Sequence, residues 1–228
     1  MAGKPVAFQR IRGERISTMD KRNELRTDTI AAVERAMPEL NLIRQGSIRE
    51  KTVRIWAEMF EESEWEALED VPKNPETLPL SRRLIEHTRS VARQALAVAG
   101  IIEEAHGIKV DRDGLLAAAL LHDVSKLLEY GPTGEGAGKT AAGKSFQHGF
   151  LGAVKALQHG MPRDVVHNII VHTHSSRHMP VTVEAIIFHY VDYPDSDVLL
   201  LNEGRPLLGT SNLLRRAVSI GHSAAGCF

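Results

Sequence analysis

The sequence predicts an all-α fold, and three observations carry that prediction. Apolar residues recur at helical spacing in stretch after stretch, as in Leu84, Thr88, Val91, Ala95, Val98 and Ile102. The run from Leu115 to Leu128 is nearly continuous in Leu and Ala and too long for an ordinary strand. Glycine and proline punctuate these stretches where helices end and restart, as in His159-Gly160 followed by Met161-Pro162. Only the Val-rich stretch around 165 to 171 could pass for a strand, and no internal repeat is visible.

Taken in order, Thr27 to Met37 carries the stripe Ile30, Val33, Ala36 and Met37 and ends at Pro38. Ile48 to Leu68 continues with Val53, Trp56, Met59, Phe60 and Trp65, whose aromatics belong to a core. Basic residues dominate 1–54, and Glu58 to Asp70 holds acids with no base, so the two charge runs read as solvated, mutually paired faces of a helical hairpin. Pro72, Pro75 and Pro79 exclude regular structure and mark a boundary. It separates an N-terminal helical extension (1–78) from a second unit (79–203), which a C-terminal helical tail (204–228) follows. Ser81 offers an N-cap to the helix that bears His87 on its inward stripe. His122 and Asp123 fall in the middle of the apolar helix.

Gly131 to Ser145 is too rich in glycine for helix or strand and reads as a mobile loop. Gly138 to Ser145 matches the phosphate-loop pattern G-x4-G-K-S, but a helix precedes it and no βαβ unit follows, so it reads as a lid or substrate-touching loop, or as a plain disordered insertion. Phe146 to Gln158 is helical with His148 at its beginning, and His159 caps its C-terminus. Arg163 to His172 turns Val165, Val166, Ile169 and Ile170 inward and delivers His172 near its end. Pro180 opens a helix through Val183, Ile186, Ile187 and Tyr190, which delivers Asp192 before Tyr193-Pro194 breaks it. Leu199 to Leu201 and Leu213-Leu214 then pack one or two further helices.

Composition bounds the function. With 228 residues, 43% hydrophobic and 25% charged, the chain can bury a core. A net charge of −1 and a pI near 6.8 give no overall attraction for a nucleic acid polymer or a membrane. No run of about 18 apolar residues occurs, and the N-terminus lacks a signal-peptide pattern. The single Cys227 excludes an intramolecular disulfide and fits a reducing, cytoplasmic setting. A homodimer is compatible with this composition. Histidines, eleven in all, fall mainly in the second half, which favours metal chemistry over aromatic stacking.

An imidazole and a carboxylate inside an apolar helix need a charge partner or a cation. Neighbouring helical residues diverge by about 100°, so other segments must complete any metal shell. His87, His148, His172, His174 and Asp192 are the candidates. The order His, His-Asp, His, His, Asp resembles the HD-domain superfamily of metal-dependent phosphohydrolases over roughly residues 81 to 200. The resemblance rests on Leu120-Leu121-His122-Asp123-Val124-Ser125-Lys126, on the His-x3-Val-Ala-x2-Ala-x-Ala helix around His87, and on Phe188 to Pro194.

That resemblance implies an HD-domain helical bundle. It implies metal ligands at His87, His122, Asp123 and Asp192, with His148 and His172 as the additional pair of two-metal members and Asp123 as the bridge. The cofactor would be two divalent transition metals, iron or manganese first, with zinc, nickel, cobalt or magnesium as further possibilities. Lys126 matches the family's His-Asp-x-x-Lys, so Asp123 and Lys126 are the expected catalytic residues. Lys126, His174, Lys139, Lys144 and Arg177 are the expected substrate contacts. Spacings of 25, 24 and 20 residues from Asp123 through His148 and His172 to Asp192 are similar to the branch that hydrolyses diadenosine polyphosphates. His174 competes with His172 as a ligand by analogy with HD-GYP phosphodiesterases, whose GYP element this chain lacks. The expectation is hydrolysis, by a metal-bound hydroxide, of a phosphate ester or phosphoanhydride in a small molecule or nucleotide. The alternatives are an HD-type mixed-valent diiron oxygenase and a non-catalytic nucleotide-binding HD module.

Overall fold

The structure is a computed structural model that describes residues 25–76, 82–173, 176 and 178–208. In chain order the helices are α1 (Thr27–Ala36), α2 (Gly46–Glu62), α3 (Leu84–His106), α4 (Arg112–Leu121), α5 (Lys126–Glu129), α6 (Ala141–Ser145), α7 (Phe150–Gln158), α8 (Arg163–Val171) and α9 (Val183–Asn202). The described residues include one sheet, an antiparallel hairpin of β1 (Tyr130–Thr133) and β2 (Gly136–Lys139), with Tyr130 opposite Lys139. Short 3₁₀ turns at Pro38–Leu42 and Leu68–Asp70 flank α2.

Helix α4 has no polar face after its first two residues, and Gly114 to Leu121 are all buried. A helix that is apolar all round must be surrounded, and α2, α3, α8 and α9 all pack against it. Asp111 starts it, its carboxylate accepting the Gly114 amide at 3.1 Å. Residues before and after the proline segment share one hydrophobic core, in which Val33, Trp56 and Met59 meet Leu84, Leu116 and Phe188.

The proline segment is a strap. Lys73 N–H donates to Arg82 O, and Leu84 N–H donates to Val71 O, both at 2.8 Å, so 71–73 runs antiparallel to the entry of α3. Ser81, the expected cap, lies outside the described residues; α3 is preceded by Arg83, whose amide the Glu86 carboxylate accepts at 3.3 Å.

Four sequence expectations are corrected. His122 and Asp123 are not in mid-helix. Helix α4 ends at Leu121 and tightens into i→i−3 bonds, Val124 N–H to Leu121 O at 3.1 Å and Lys126 N–H to Asp123 O at 2.9 Å. The glycine-rich stretch is not an unstructured loop but the β1–β2 hairpin followed by α6, which Thr140 caps by accepting the Gly143 amide. Gly143 is required there, since an added Cβ would lie 2.1 Å from the Glu129 carbonyl oxygen. Pro194 does not break α9, which runs on to Asn202. Tyr190, whose carbonyl the missing amide would have served, is 70% exposed, so water can take that place. Helix α7 begins at Phe150, leaving His148 in the preceding turn. The expected helices around Leu213-Leu214 lie outside the described residues. Among the described residues no helix is long and apolar enough to cross a membrane.

The tightened end of α4 leaves the Leu120 carbonyl without its usual amide four residues on. The Trp56 indole N–H donates to it at 2.7 Å, and Trp56 is fully buried. Trp56→Phe is therefore expected to cost about 1–3 kcal/mol, the penalty for a stranded buried carbonyl, and Trp56→Ala about 3–5 kcal/mol. Urea denaturation measures both, and a Phe variant as stable as the parent would show that this carbonyl is served by another donor.

Candidate metal centre

Five elements converge beside the end of α4. Helix α3 brings His87, the turn after α4 brings His122 and Asp123, the turn before α7 brings His148, the end of α8 brings His172, and α9 brings Asp192. His87 and His122 are fully buried, while Asp123 and His172 are 2% exposed. Their ligand atoms form three interlocking groups: His87, His122 and Asp123; His122, His172 and Asp192; Asp123, His148 and His172.

Each imidazole is turned by what its Nδ1 meets. His122 Nδ1–H donates to Ala119 O at 2.8 Å and His172 Nδ1–H to Ile169 O at 2.7 Å, each bond reaching back three residues to a helix-end carbonyl. His87 Nδ1–H donates to Asp195 Oδ2 at 2.6 Å and His148 Nδ1–H to Glu129 Oε2 at 2.8 Å. With Nδ1 protonated, all four Nε2 atoms present lone pairs to one centre. His148 comes close because Gly149 turns the chain at φ +81°, where an added Cβ would stand 3.2 Å from Ile169 O.

The two oxygens of Asp123 face different imidazole pairs. Oδ1 is 2.7 Å from His148 Nε2 and 3.7 Å from His172 Nε2; Oδ2 is 3.5 Å from His87 Nε2 and 3.4 Å from His122 Nε2. Asp192 Oδ1 joins the second pair at 3.1 and 3.6 Å from His87 and His122.

These atoms fit divalent cations. His87 and His122 Nε2 are 3.0 Å apart, and His148 and His172 Nε2 are 3.3 Å apart. Neither approach is favourable between two lone pairs. Asp123 Oδ1 and Asp192 Oδ1 are buried without a hydrogen-bond donor. A cation removes both conflicts, and mixed imidazole and carboxylate donors suit transition metals such as iron, manganese or zinc.

The electrostatics agree. Burial acts to raise the Asp123 carboxyl, yet Lys126, His122 and His148 hold it well below the usual carboxylate range. Asp192 is likewise held far down against burial by His87 and Lys73. Burial pushes His172 down to about 4, which keeps its imidazole neutral near pH 7. His148 is opposed by burial and Lys126, but Asp123 and Glu129 raise its proton affinity; anions that hold a proton there also attract a metal.

Lys126 lies beside this centre, its Nζ 3.8 Å from Asp123 Oδ1 and 5.7 Å above the Tyr130 ring. A cavity of about 130 Å³ opens there, lined by Lys73, Asp123, Lys126, His148, His172 and Asp192 among others. Lys139 instead pairs with Glu76 at 3.1 Å on the hairpin, and Lys144 sits on α6; neither is among the described residues that line the cavity. His174 and Arg177 lie outside the described residues. His159 stays at the end of α7, 3.0 Å from Glu58.

Sequence reasoning missed Asp195, Glu129, Arg82 and Lys73. Asp195 carried a readable signal, since it follows Asp192 by three residues and so shares its helix face. Arg82 Nη2 stands 2.6 Å from both Asp195 oxygens, and together with His87 it keeps this carboxyl far below the usual range despite burial. Asp195→Ala is expected to leave helical content intact and weaken divalent-metal affinity about 10- to 100-fold, the usual range for losing a group that orients a ligand. Equilibrium competition against a chromophoric chelator measures it.

The HD domain family matches residues 84–197, half of the chain. A dihydroneopterin 2',3'-cyclic phosphate phosphodiesterase of Methanocaldococcus jannaschii is 36% identical over 118 residues, which cover 50% of this chain and 47% of that protein. The chain thus spans about half the length of the curated relative it matches. No solved structure gives a significant match.

Proposed function

The chain belongs to the HD-domain family, and on that premise we propose that it is a metal-dependent phosphohydrolase that cleaves a phosphate ester or anhydride in a small molecule or nucleotide. Among these bonds the phosphodiester is favoured, because the relative named above is a cyclic-phosphate phosphodiesterase. One observation carries the reading. Asp123 turns one oxygen to His148 and His172 and the other to His87 and His122, at a cavity that Lys126 also lines.

In this proposal His87, His122, Asp123 and Asp192 would hold one divalent metal, and Asp123, His148 and His172 would hold a second, with iron or manganese the expected ions. Bound there, such ions would lower the pKa of water and withdraw charge from phosphoryl oxygens. The chain's own residues do the rest. Asp123 is held ionised by Lys126 and its histidines and is positioned to share its charge between both subsites. Lys126, 4% exposed and steadied over Tyr130, places an ammonium where negative charge grows on the phosphoryl oxygens as the bond breaks. Burial around His122 and His172 restricts water to the open side of the cavity. Asp195 and Glu129 keep the His87 and His148 rings from rotating off line.

Two measurements test this. The purified protein should carry close to two metal ions per chain by elemental analysis, falling to about one when His148 and His172 are both replaced by Ala; a stoichiometry of one that survives this replacement removes the second subsite. Under anaerobic conditions with Mn²⁺ or Fe²⁺, it should cleave bis(p-nitrophenyl) phosphate or 2',3'-cyclic nucleotides. Lys126→Ala should then slow turnover about 10²- to 10³-fold with metal content unchanged, the range for losing one preorganised donor. Oxygen uptake with an organic substrate, and no phosphate ester cleaved, would instead select the oxygenase chemistry.

A further inference from the structure

Lys73 is the least expected charge in the molecule. It precedes the HD match, in a segment whose prolines mark it as a connector, yet it is 6% exposed and lines the cavity beside Asp123, Lys126 and Asp192. A buried ammonium is costly unless its donors and its charge are both met. Its Nζ donates to Ser196 Oγ, itself 1% exposed. An ammonium has three protons to place, and this hydroxyl takes one.

The charge of Lys73 is balanced within the same cavity. Burial lowers its proton affinity overall; Asp192, Asp123 and Asp195 act to raise it and so support the charged form, while Lys126 adds to the lowering. Asp195 is already matched by Arg82, so two carboxylates, Asp123 and Asp192, stand against two ammoniums, Lys73 and Lys126. Cations bound to those carboxylates would consume that balance and leave both lysines facing the cavity without a counter-charge. A multiply oxygenated anion restores it.

We propose that Lys73 is a phosphoryl-binding residue of this cavity, supplied by the strap ahead of the HD fold and acting on the same anion as Lys126. The proposal rests on the phosphohydrolase reading and deepens it: the substrate presents a phosphoryl group with at least two free oxygens, one for each lysine. The strap is built to hold this position. Its amide bond from Lys73 to Arg82 O fixes the backbone at 2.8 Å, and Ser196 fixes the side chain.

The test uses the full chain loaded with Mn²⁺ and inorganic phosphate as the probe, followed by titration calorimetry, with metal content and melting temperature measured in parallel. Lys73→Met keeps the apolar stem and removes the charge. It should weaken phosphate binding about 10- to 100-fold, as for loss of one hydrogen bond to a charged group, with metal content unchanged. Lys73→Arg should recover a substantial part of that loss. Ser196→Ala removes the strut partner and keeps the ammonium, so it should cost less phosphate affinity than Lys73→Met does.

Three results overturn the proposal: phosphate binding that is indifferent to Lys73→Met, an equal loss in Ser196→Ala accompanied by a lower melting temperature, or no phosphate binding to the parent protein. Hydrolysis assays on the same proteins separate the two readings. Lys73-dependent phosphate binding without cleavage of any ester supports the anion site while the hydrolase reading falls. Cleavage with Lys73-independent phosphate binding defeats the anion site alone.

Discussion

The fold is arranged around a confrontation that would be unfavourable without a cation: four imidazole lone pairs and two carboxylates directed at one buried volume. Nitrogen atoms 3.0 and 3.3 Å apart, and carboxylate oxygens buried without donors, would drift apart in a relaxed core. They are held together because each ring is tied at its other nitrogen. Two ties are carbonyls at the ends of α4 and α8, available because a helix terminus leaves carbonyls without intrahelical partners. The other two are carboxylates, Asp195 and Glu129. Helix ends therefore serve the site twice, by aiming a residue at the centre and by fixing its tautomer.

This explains why His122 and Asp123 cannot sit in mid-helix. A continuous α-helix would use the Ala119 carbonyl for the amide of residue 123 and would keep the two side chains about 100° apart. The shift to i→i−3 bonding gives that carbonyl to the His122 ring, and the Leu120 carbonyl goes to Trp56. The N-terminal helices are thus joined to the centre through one indole hydrogen bond as well as through shared core.

The residues that converge at the centre were legible in the sequence from the order of imidazoles and carboxylates along the chain and its resemblance to a known family, and the helices were legible from their periodicity. What escaped was geometry that composition does not encode. The glycines of 131–145 signalled conformational freedom, but Trp65 donates to Tyr130 O at 2.9 Å and the Thr140 hydroxyl to Leu128 O at 2.5 Å, and these contacts pin the segment as a hairpin. Pro194 broke the expected pattern, yet α9 continues through it, its lost amide bond falling at the exposed Tyr190. Glu129 carries no signal of its own in the sequence. Its value comes from His148, 19 residues away along the chain, which no local pattern links to it.

The strap shows the same limit from the other side. Pro72 and Pro75 exclude helix from the described part of the segment, and the absence of a regular element there invites reading it as a boundary. Pairing with residues 82–84 instead makes it part of the site's frame. Arg82 clamps Asp195, which aligns His87, while Lys73 reaches Ser196, the next residue of the same helix. Both contacts converge on one turn of α9, the turn after the one that carries Asp192. A displacement of the strap would therefore move an imidazole and a cavity ammonium together, whereas a displacement of the hairpin would move the carboxylate behind His148. The two imidazole pairs thus depend on different peripheral segments, and Asp123, held just beyond the buried end of α4, faces both.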